Sequence, residues 1–283
     1  VGTYEAGKKE VCEEQLAELS SLGDTFGLET VLKLPCPLRE IDPGLFLGKG
    51  KVEEIRDLVQ TTPADLVIFD DEIGPQQQRN LEKTIGCPII DRTELILGVF
   101  AQRAKTKEAK LQIELASLEY QMPRLRRLWT HLSRQRTGGS GGGYLKGEGE
   151  KQIEIDRRIL RKKIDQIGKE LELVKSHRQT QRRARERTQI PSFAIVGYTN
   201  VGKSTLMRAL TDAEILVEDK LFATLDTTAR KYLLPNRQQI LLIDTVGFIR
   251  KIPHQLVAAF KGTLEEAVQA DILLHLIDVS SPT

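Results

Sequence analysis

The sequence predicts an α/β protein of three successive parts: an N-terminal parallel-sheet α/β domain over residues 1–100, a long antiparallel helical hairpin over 101–187, and a second α/β domain over 188–283. Strand-like and helix-like patterns alternate in the first part, which favours parallel strands joined by right-handed crossovers. Two apolar seams with heptad spacing follow, and they predict paired helices. An apolar strand, a glycine-containing loop and a helix then occur in that order.

The N-terminal domain begins with VGTYEAGKKE, and the chain looks trimmed here because it starts at Val1 rather than at a methionine. Gly48 and Gly50 match neither common nucleotide motif, and we interpret them as a helix entry or an RNA-facing loop. Asp70 and Asp71 follow a strand, where we expect solvated or helix-capping acids rather than a metal site. The further elements predicted are a helix at 11–23, a strand at 28–34, a helix at 48–60, a strand at 65–70, a helix at 74–86 and a strand at 87–91.

The hairpin is predicted from seam residues spaced alternately by three and four positions, which is the spacing of a coiled coil. Pro123 lies inside the first arm and removes one helical hydrogen bond, so we expect a kink or break near Gln121 and Met122. The seam residues are Leu111, Leu115, Leu118, Met122, Leu125, Trp129 and Leu132 in the first arm, and Leu160, Ile164, Ile167, Leu171 and Val174 in the second.

A glycine-rich loop over residues 137–149 joins the two arms and contains seven glycines. It is longer than two paired helices require, which favours a function over a flexible linker. Residues 101–190 carry 23 Lys and Arg against 11 Asp and Glu, a net charge of +12, whereas the rest of the chain has a net charge of −10. We expect salt-dependent RNA binding near the tip, where Arg124, Arg126 and Arg127 also lie. The predicted RNA contacts are Arg134, Arg136, Gly138, Gly139, Gly141, Gly142, Gly143, Tyr144 and Lys146.

A phosphate-binding loop is predicted at residues 197–205, GYTNVGKST, because the strand-like SFAIV precedes it and a helix-like segment follows. In such a loop the backbone N–H groups and the helix N-terminus surround phosphates. Lys203 would reach the β and γ oxygens, and the Ser204 hydroxyl would bind Mg²⁺. The predicted contacts here are Gly197, Tyr198, Thr199, Asn200, Val201, Gly202, Lys203, Ser204 and Thr205.

A second motif, QQILLIDTVG at 238–247, predicts a strand whose Asp244 holds Mg²⁺ through water and whose Gly247 amide meets the γ-phosphate. Between the motifs lies the switch segment, residues 221–230, LFATLDTTAR, in which Thr224 is the preferred second metal ligand, with Thr227 and Thr228 as rivals. Lys203, Thr224 and Gly247 are the candidate catalytic residues. The further predicted nucleotide contacts are Phe222, Ala223, Thr224, Leu225, Asp226, Asp244, Thr245, Val246 and Gly247.

The joint pattern GYTNVGKST, LFATLDTT and DTVGFIRKIPHQLVAAFKGTLEE resembles the HflX family of ribosome-associated GTPases, and GLFLGKGKVEEI and the hairpin sequence extend the resemblance over nearly the whole chain. The resemblance implies that residues 188–283 are the first part of a P-loop GTPase domain. It also implies GTP, Mg²⁺, GTP hydrolysis, and binding to the large ribosomal subunit and its rRNA through the N-terminal domain and the hairpin. Splitting or remodelling of ribosomes would be the outcome.

Two departures bear on catalysis. Phe248 follows DTVG where Ras-like enzymes place a water-orienting glutamine, so no side chain is assigned that role. The chain stops at HLIDVSSPT before any NKxD motif, so guanine specificity is implied by the resemblance alone, and we expect residues 1–283 to bind GTP weakly and hydrolyse it poorly. Asn200 suggests a K⁺ ion in the loop, and His254 is expected to be exposed or to contact a partner.

Composition excludes several other classes of protein. No apolar run approaches the roughly 18 residues that a membrane span needs. Cys12, Cys36 and Cys87 are far apart and form no CxxC pair, so we expect buried thiols in a cytoplasmic protein. We also expect the protein to be a monomer. Two alternatives remain: an ATP-dependent RNA remodeller, and a coiled-coil scaffold that nucleotide merely stabilises. Base preference tests the first, and substitution of Lys203 tests the second.

Overall fold

The structure is a computed structural model that describes residues 1–125, 148–186, 190–211, 220–253, 256 and 265–280. The chain forms two compact units. The first contains residues 1–96 with 117–166, and the second contains 97–116 with 167–283. Within the described residues, no helix is both long enough and apolar enough to cross a bilayer.

The first unit contains four short parallel strands. Strand β1 (Gly2–Tyr4) pairs with β2 (Pro35–Pro37), and β3 (Val67–Phe69) pairs with β4 (Ile89–Asp91). The Val1 amino group donates to Ile68 O at 2.7 Å and Asp70 N donates to Val1 O at 2.8 Å, which connects the two pairs. The predicted parallel α/β arrangement is therefore confirmed.

One predicted strand is wrong. Residues 28–34 have no regular structure, and the second strand is Pro35–Pro37 instead. Val31 and Leu32 are exposed, because pairing with β1 begins only at Pro35. The alternation of apolar and polar residues in LETVLKL is typical of a strand, but the segment lies outside the ladder.

Four helices accompany these strands: α1 (Lys9–Phe26), α2 (Lys49–Thr61), α3 (Pro75–Ile85) and α4 (Arg92–Arg103). The first three were predicted. Helix α3 shows why: Pro75 is compatible with the first helical turn, Gln77 accepts from Gly74 N at 3.0 Å, and Gly86 ends the helix with φ 80°. The core of the unit consists of Cys36, Phe46, Leu47, Val52, Ile55, Val67, Phe69, Ile73, Leu81, Ile85, Cys87 and Ile89.

The acidic pair after β3 differs from the expectation. Asp70 is buried and pairs with Arg92 at 2.6 Å, and Arg92 also lies 3.2 Å from Glu18. Asp71 accepts from Thr3 N and from the Thr3 hydroxyl. Neither carboxylate is a solvated acid or a cap of the next helix. Both carboxylates instead connect separate chain segments, Asp70 with Arg92 and Asp71 with Thr3. A buried charge such as that of Asp70 requires a partner of this kind.

The hairpin region contains α5 (Lys107–Gln121), a 3₁₀ turn at Met122–Arg124, and α6 (Glu148–Glu186). Helix α5 ends at Gln121, within its apolar pattern, because Pro123 lacks an N–H group, so the predicted break is confirmed. The Lys107 Nζ and Glu170 Oε2 atoms lie 3.6 Å apart and connect α5 with α6. All predicted RNA contacts from Arg134 to Lys146 lie outside the described residues, as do Trp129 and Leu132.

The structure corrects the prediction made for Arg124. The sequence places it among the cations near the hairpin tip, but its side chain is buried within the first unit. It donates to Gln78 Oε1 at 3.2 Å and to Ile73 O at 2.7 Å, and lies 3.4 Å from Asp91. Its guanidinium is therefore unavailable to a phosphate, and it stabilises the turn at Pro123.

The second unit has a four-stranded sheet in the order β6 (Thr228–Leu233), β7 (Gln239–Asp244), β5 (Ser192–Gly197) and β8 (Ile272–Leu276). Strand β5 is parallel to β7 and β8, whereas β6 is antiparallel to β7. A short loop over residues 198–202 joins β5 to helix α7 (Lys203–Thr211). The strand ends of β5 and β7 thus lie side by side. The helix predicted over 256–270 lies largely outside the described residues, as does His254.

Candidate nucleotide-binding site

The loop between β5 and α7 has the backbone that a phosphate-binding loop requires. Gly197 has φ 153°, and a Cβ atom there would lie 2.5 Å from Leu276 O on β8. Asn200 and Gly202 have φ 63° and 91°, in the region that glycine and asparagine tolerate best. The loop therefore turns tightly at the C-terminal end of β5 and leads into the N-terminus of α7.

Lys203 lies under this loop and is almost completely buried. Its Nζ atom donates to Tyr198 O at 2.5 Å and to Gly197 O at 3.2 Å. Burial lowers the pKa of Lys203 to about 8, and the nearby Asp244 carboxylate partly opposes this shift. An anion bound in the loop would favour the charged ammonium, so the position suits a phosphate-binding lysine.

Ser204, Thr224 and Asp244 converge beside Lys203. The Ser204 hydroxyl donates to Asp244 Oδ2 at 2.7 Å, and Ser204 Oγ and Thr224 Oγ1 lie 2.7 Å apart. Asp244 is fully buried, and its Oδ1 atom has no hydrogen-bond partner among the described residues. Burial raises the pKa of Asp244, while the Ser204 hydrogen bond lowers it.

These three side chains fit Mg²⁺. They offer only oxygen atoms, which are the ligands that Mg²⁺ prefers, and the cation would compensate a buried carboxylate with an unsatisfied oxygen. Within the described part of the chain, no three His, Cys, Asp or Glu side chains are grouped to hold a metal. A metal here would therefore depend on hydroxyl oxygens and on phosphate, as expected for a P-loop site.

Thr228, one of the two rivals of Thr224, makes a different side-chain contact. Thr228 begins β6 opposite Asp244, and its hydroxyl donates to Met207 Sδ at 3.8 Å. In the described part of the chain, the Thr224 hydroxyl is the one of the switch segment's three threonine hydroxyls that contacts Ser204. The geometry therefore favours Thr224 as the second hydroxyl ligand.

Other predicted contacts in the switch segment diverge. Phe222 and Leu225 are buried, and Phe222 adopts φ 55°. Asp226 points away from Ser204 and accepts hydrogen bonds from Lys105 and Thr106 at the start of α5. The structure thus brings Thr224 to Ser204, whereas Asp226 contacts the residues that lead into α5. No sequence pattern indicated the Asp226 contact, because 120 positions separate it from Thr106.

The end of the second motif packs directly on the loop. A Cβ atom at Gly247 would lie 2.7 Å from Lys203 Nζ and 2.6 Å from Thr199 Cα. Thr245 donates to Ile195 O at 2.7 Å, and Val246 is buried. Only glycine fits at position 247, so its backbone can approach a phosphate in the loop.

Residues after Gly247 hold the loop from the other side. Thr199 N donates to Phe248 O at 2.8 Å, and Phe248 N donates to Gly197 O at 3.0 Å. The Tyr198 hydroxyl accepts from Arg250 N at 2.8 Å. Tyr198 was predicted only as a nucleotide contact, but its side chain holds the residues after the second motif, a role that the sequence did not reveal.

A pocket lies at this junction. Seven of the predicted contacts are not among its lining residues: Gly197, Tyr198, Val201, Leu225, Asp226, Asp244 and Val246. The pocket is lined by Thr199, Asn200, Gly202, Lys203, Ser204, Thr205, Lys220, Phe222, Ala223, Thr224, Thr245 and Gly247. Lys220 adds a cation that the sequence analysis missed, because it stands just before the switch segment and belongs to no motif.

Three family descriptions match successive parts of the chain: "GTP-binding GTPase N-terminal" at residues 13–101, "GTP-binding GTPase Middle Region" at 103–185, and "50S ribosome-binding GTPase" at 192–283. A GTPase HflX of Chlamydia pneumoniae is 51% identical over 274 residues, which are 96% of this chain and 58% of that protein. The GTPase HflX of Escherichia coli strain K12 is 48% identical over 267 residues, covering 94% and 62% of the two chains.

The chain belongs to the HflX family of GTPases. It spans about 58% to 62% of the length of the two HflX relatives compared above. A solved structure of a GTP-binding protein from Sulfolobus solfataricus in complex with GDP is 26% identical, with a TM-score of 0.50, and covers 100% of this chain and 71% of that one. A second structure, of the SsGBP and GDP complex, is 28% identical with a TM-score of 0.52, and covers 98% of this chain and 71% of that one. HflX membership therefore accounts for both the N-terminal domain and the phosphate loop.

Proposed function

We propose that this protein binds and hydrolyses GTP with Mg²⁺, that it binds the large ribosomal subunit and its rRNA through the N-terminal domain and the hairpin, and that it splits or remodels ribosomes. The single observation that carries the nucleotide part is the convergence of Ser204, Thr224 and Asp244 within hydrogen-bonding distance beside the buried Lys203. This arrangement has little purpose in a domain without a metal and a phosphate, because it buries an incompletely satisfied carboxylate.

Each part of the site has a separate role in this proposal. Lys203 and the loop amides would hold the phosphates, and Ser204, Thr224 and Asp244 would hold the metal, the two hydroxyls as ligands and Asp244 through water. Bound Mg²⁺ supplies charge neutralisation for the transferred phosphate. Gly247 presents its amide where a side chain would collide with Lys203. Positioning and electrostatics thus provide most of the catalysis.

Water activation needs a different group from the Ras-like glutamine. Phe248 occupies that position, and its backbone is hydrogen-bonded to Gly197 and Thr199. We propose that K⁺ bound near Asn200 assists, since Asn200 lies on the exposed side of the loop with φ 63°. Equal turnover in potassium and sodium buffers would contradict this part of the proposal.

The ribosomal part is supported by charge and by relatives. Residues 101–190 carry a net charge of +12, and a segment of that charge binds RNA phosphates with strong salt dependence. The match at residues 192–283 is to a family described as a 50S ribosome-binding GTPase. A cytoplasmic monomer would meet ribosomes directly, so we propose this state and this location.

The test is co-sedimentation of the protein with purified large ribosomal subunits over a salt series, beside a variant that lacks residues 138–149. We expect binding that weakens with salt and is reduced at least tenfold by the deletion. A matched control replaces residues 138–149 with a glycine–serine segment of the same length, which keeps the arms connected and removes Tyr144 and Lys146. Binding that survives both changes would show that the loop is a linker.

Experiments on the nucleotide site distinguish the proposed function from its alternatives. Competition of GTP and ATP for the site distinguishes a GTPase from an ATP-dependent remodeller. Lys203→Ala should abolish hydrolysis and ribosome splitting. Splitting that persists in the Lys203→Ala variant would instead favour a scaffold that nucleotide only stabilises.

A further inference from the structure

We propose that Asp226 is a positioning residue, which holds Thr224 at the metal site by attaching the switch segment to the connection between α4 and α5. This inference rests on the proposed nucleotide site and extends it. It assigns Asp226 no direct contact with nucleotide, although the sequence motif places it two residues from Thr224.

The contacts of Asp226 are specific. Its Oδ2 atom accepts from Lys105 N at 2.9 Å and from Thr106 N at 3.2 Å, and its Oδ1 atom accepts from the Thr106 hydroxyl at 2.5 Å. Three donors therefore meet one carboxylate at the N-terminus of α5. Hydrogen bonds to a charged acceptor are stronger than neutral ones, and the helix dipole at an N-terminus favours a negative charge.

Helix α5 does not need Asp226 as its cap. The Thr106 hydroxyl accepts from Ala109 N at 3.1 Å, and Thr106 O accepts from Lys110 N at 3.1 Å, so Thr106 itself begins the helix. Asp226 is additional to a helix start that is already satisfied. The contact thus serves the switch segment more than it serves α5.

Phe222 provides a second attachment on the other side of Thr224. Its ring meets the Phe100 ring of α4 edge to face, with centroids 4.7 Å apart, and Phe222 is buried. Its positive φ of 55° is unusual for an aromatic residue and is maintained by the surrounding packing. Phe222 is therefore held by α4 and Asp226 by the α4–α5 connection, and Thr224 lies midway between them in the sequence.

This arrangement has a thermodynamic consequence. A segment held at both ends loses less conformational entropy when Thr224 binds a metal, so the attachments should increase affinity for the state in which Thr224 is a ligand. Coupling is reciprocal, so Mg²⁺ with a nucleoside triphosphate should in turn stabilise the Asp226 contacts with Lys105 and Thr106. A diphosphate, which the loop alone can hold, should have a smaller effect.

The first experiment measures binding of fluorescent GDP and of a fluorescent non-hydrolysable GTP analogue with Mg²⁺. For Asp226→Ala we expect about tenfold weaker binding of the GTP analogue, since roughly one charge-assisted interaction is lost, with GDP affinity within about twofold of the original protein. Asp226→Asn keeps the acceptor for the backbone N–H groups and should weaken binding of the analogue by about threefold.

Asp271→Ala is the matched control. Asp271 lies in the same unit, is exposed, and accepts from Ser192 N at 2.8 Å and from the Ser192 hydroxyl at 2.7 Å, but it is remote from the switch segment. It should leave the ratio of the two affinities unchanged. The second measurement is hydrogen–deuterium exchange in peptides that contain Lys105 and Thr106. Exchange should slow more with the GTP analogue than with GDP, and Asp226→Ala should abolish this difference.

The outcomes are distinct. Equal loss of GDP and analogue binding in both Asp226 variants would overturn the inference, because the carboxylate would then be a general structural element. Unchanged affinities for both nucleotides in Asp226→Ala would overturn it as well. If the original protein bound neither nucleotide, the proposed function itself would fail, a result that needs no Asp226 variant to observe.

Discussion

The Ser204 and Thr224 hydroxyls lie 2.7 Å apart, although twenty positions separate them in the sequence. Ser204 lies in the first turn of α7, whereas Thr224 lies in the switch segment, so the contact brings the phosphate loop and the switch together. Asp244 accepts from Ser204 on the other side. Three oxygen-bearing side chains from three segments thus define one small volume, which explains why a metal site can exist without a cluster of acids.

Thr224→Ala should weaken Mg²⁺-dependent binding of a GTP analogue about tenfold, because one metal ligand is lost, a loss of about 1.4 kcal/mol. Thr227→Ala and Thr228→Ala are the controls and should remain within about twofold. The measurement is a titration of fluorescent analogue at several Mg²⁺ concentrations. A larger effect from Thr228→Ala would assign the ligand to that threonine instead.

Gly247→Ala should abolish binding of the GTP analogue while the domain stays folded. The new methyl group would lie 2.6 Å from Thr199 Cα and 2.7 Å from Lys203 Nζ, so the loop or the lysine must move. Gly168→Ala on α6 is the control, since none of the described atoms lies within 4 Å of its added methyl group. Circular dichroism checks folding, and analogue binding checks function. Unaltered affinity in Gly247→Ala would show that the loop can relax at no cost.

Arg124→Lys should lower the free energy of unfolding by about 3 kcal/mol, because a lysine cannot replace the planar guanidinium among its buried partners. Those partners include Asp91 at 3.4 Å and the Tyr120 ring, whose centroid lies 3.6 Å from the guanidinium carbon. Arg158→Lys, an exposed change on α6, should alter stability by less than about 0.5 kcal/mol. Denaturant unfolding measures both variants, and equal effects would show that the burial of Arg124 has no energetic weight.

The cysteines should react with a thiol reagent only after unfolding. Cys12, Cys36 and Cys87 are all buried, and burial raises the pKa of Cys36 to about 11 and raises that of Cys87 as well. Since the folded pKa of Cys36 exceeds its unfolded value, its contribution to stability is complete below about pH 9 and falls as the pH rises toward 11. Alkylation of the cysteines at pH 8, with and without denaturant, tests whether the thiols react only after unfolding. Rapid modification of a native thiol would contradict it.

Local patterns in the sequence determined most of the secondary structure and the site. The heptad spacing, the proline at position 123 and the order of strand, glycine loop and helix each specify local conformation, because backbone sterics and apolar periodicity act over a few residues. The strand predicted at residues 28–34 failed for the complementary reason. Whether an apolar, alternating segment becomes a strand depends on a partner, and β1 pairs with Pro35–Pro37 instead.

The tertiary structure decided which residues work together. Arg124 is a cation close to the predicted RNA-binding tip, but its side chain is buried beside Asp91. Asp226 lies in a predicted nucleotide-binding segment, but its carboxylate accepts a hydrogen bond from Thr106. Neither partnership is visible in the sequence, since 33 and 120 positions separate the partners. The sequence alone determined that a phosphate loop exists and what chemistry its residues can supply. Only the folded chain decided which hydroxyl faces Ser204, because that choice depends on where a long-range packing arrangement holds the switch segment.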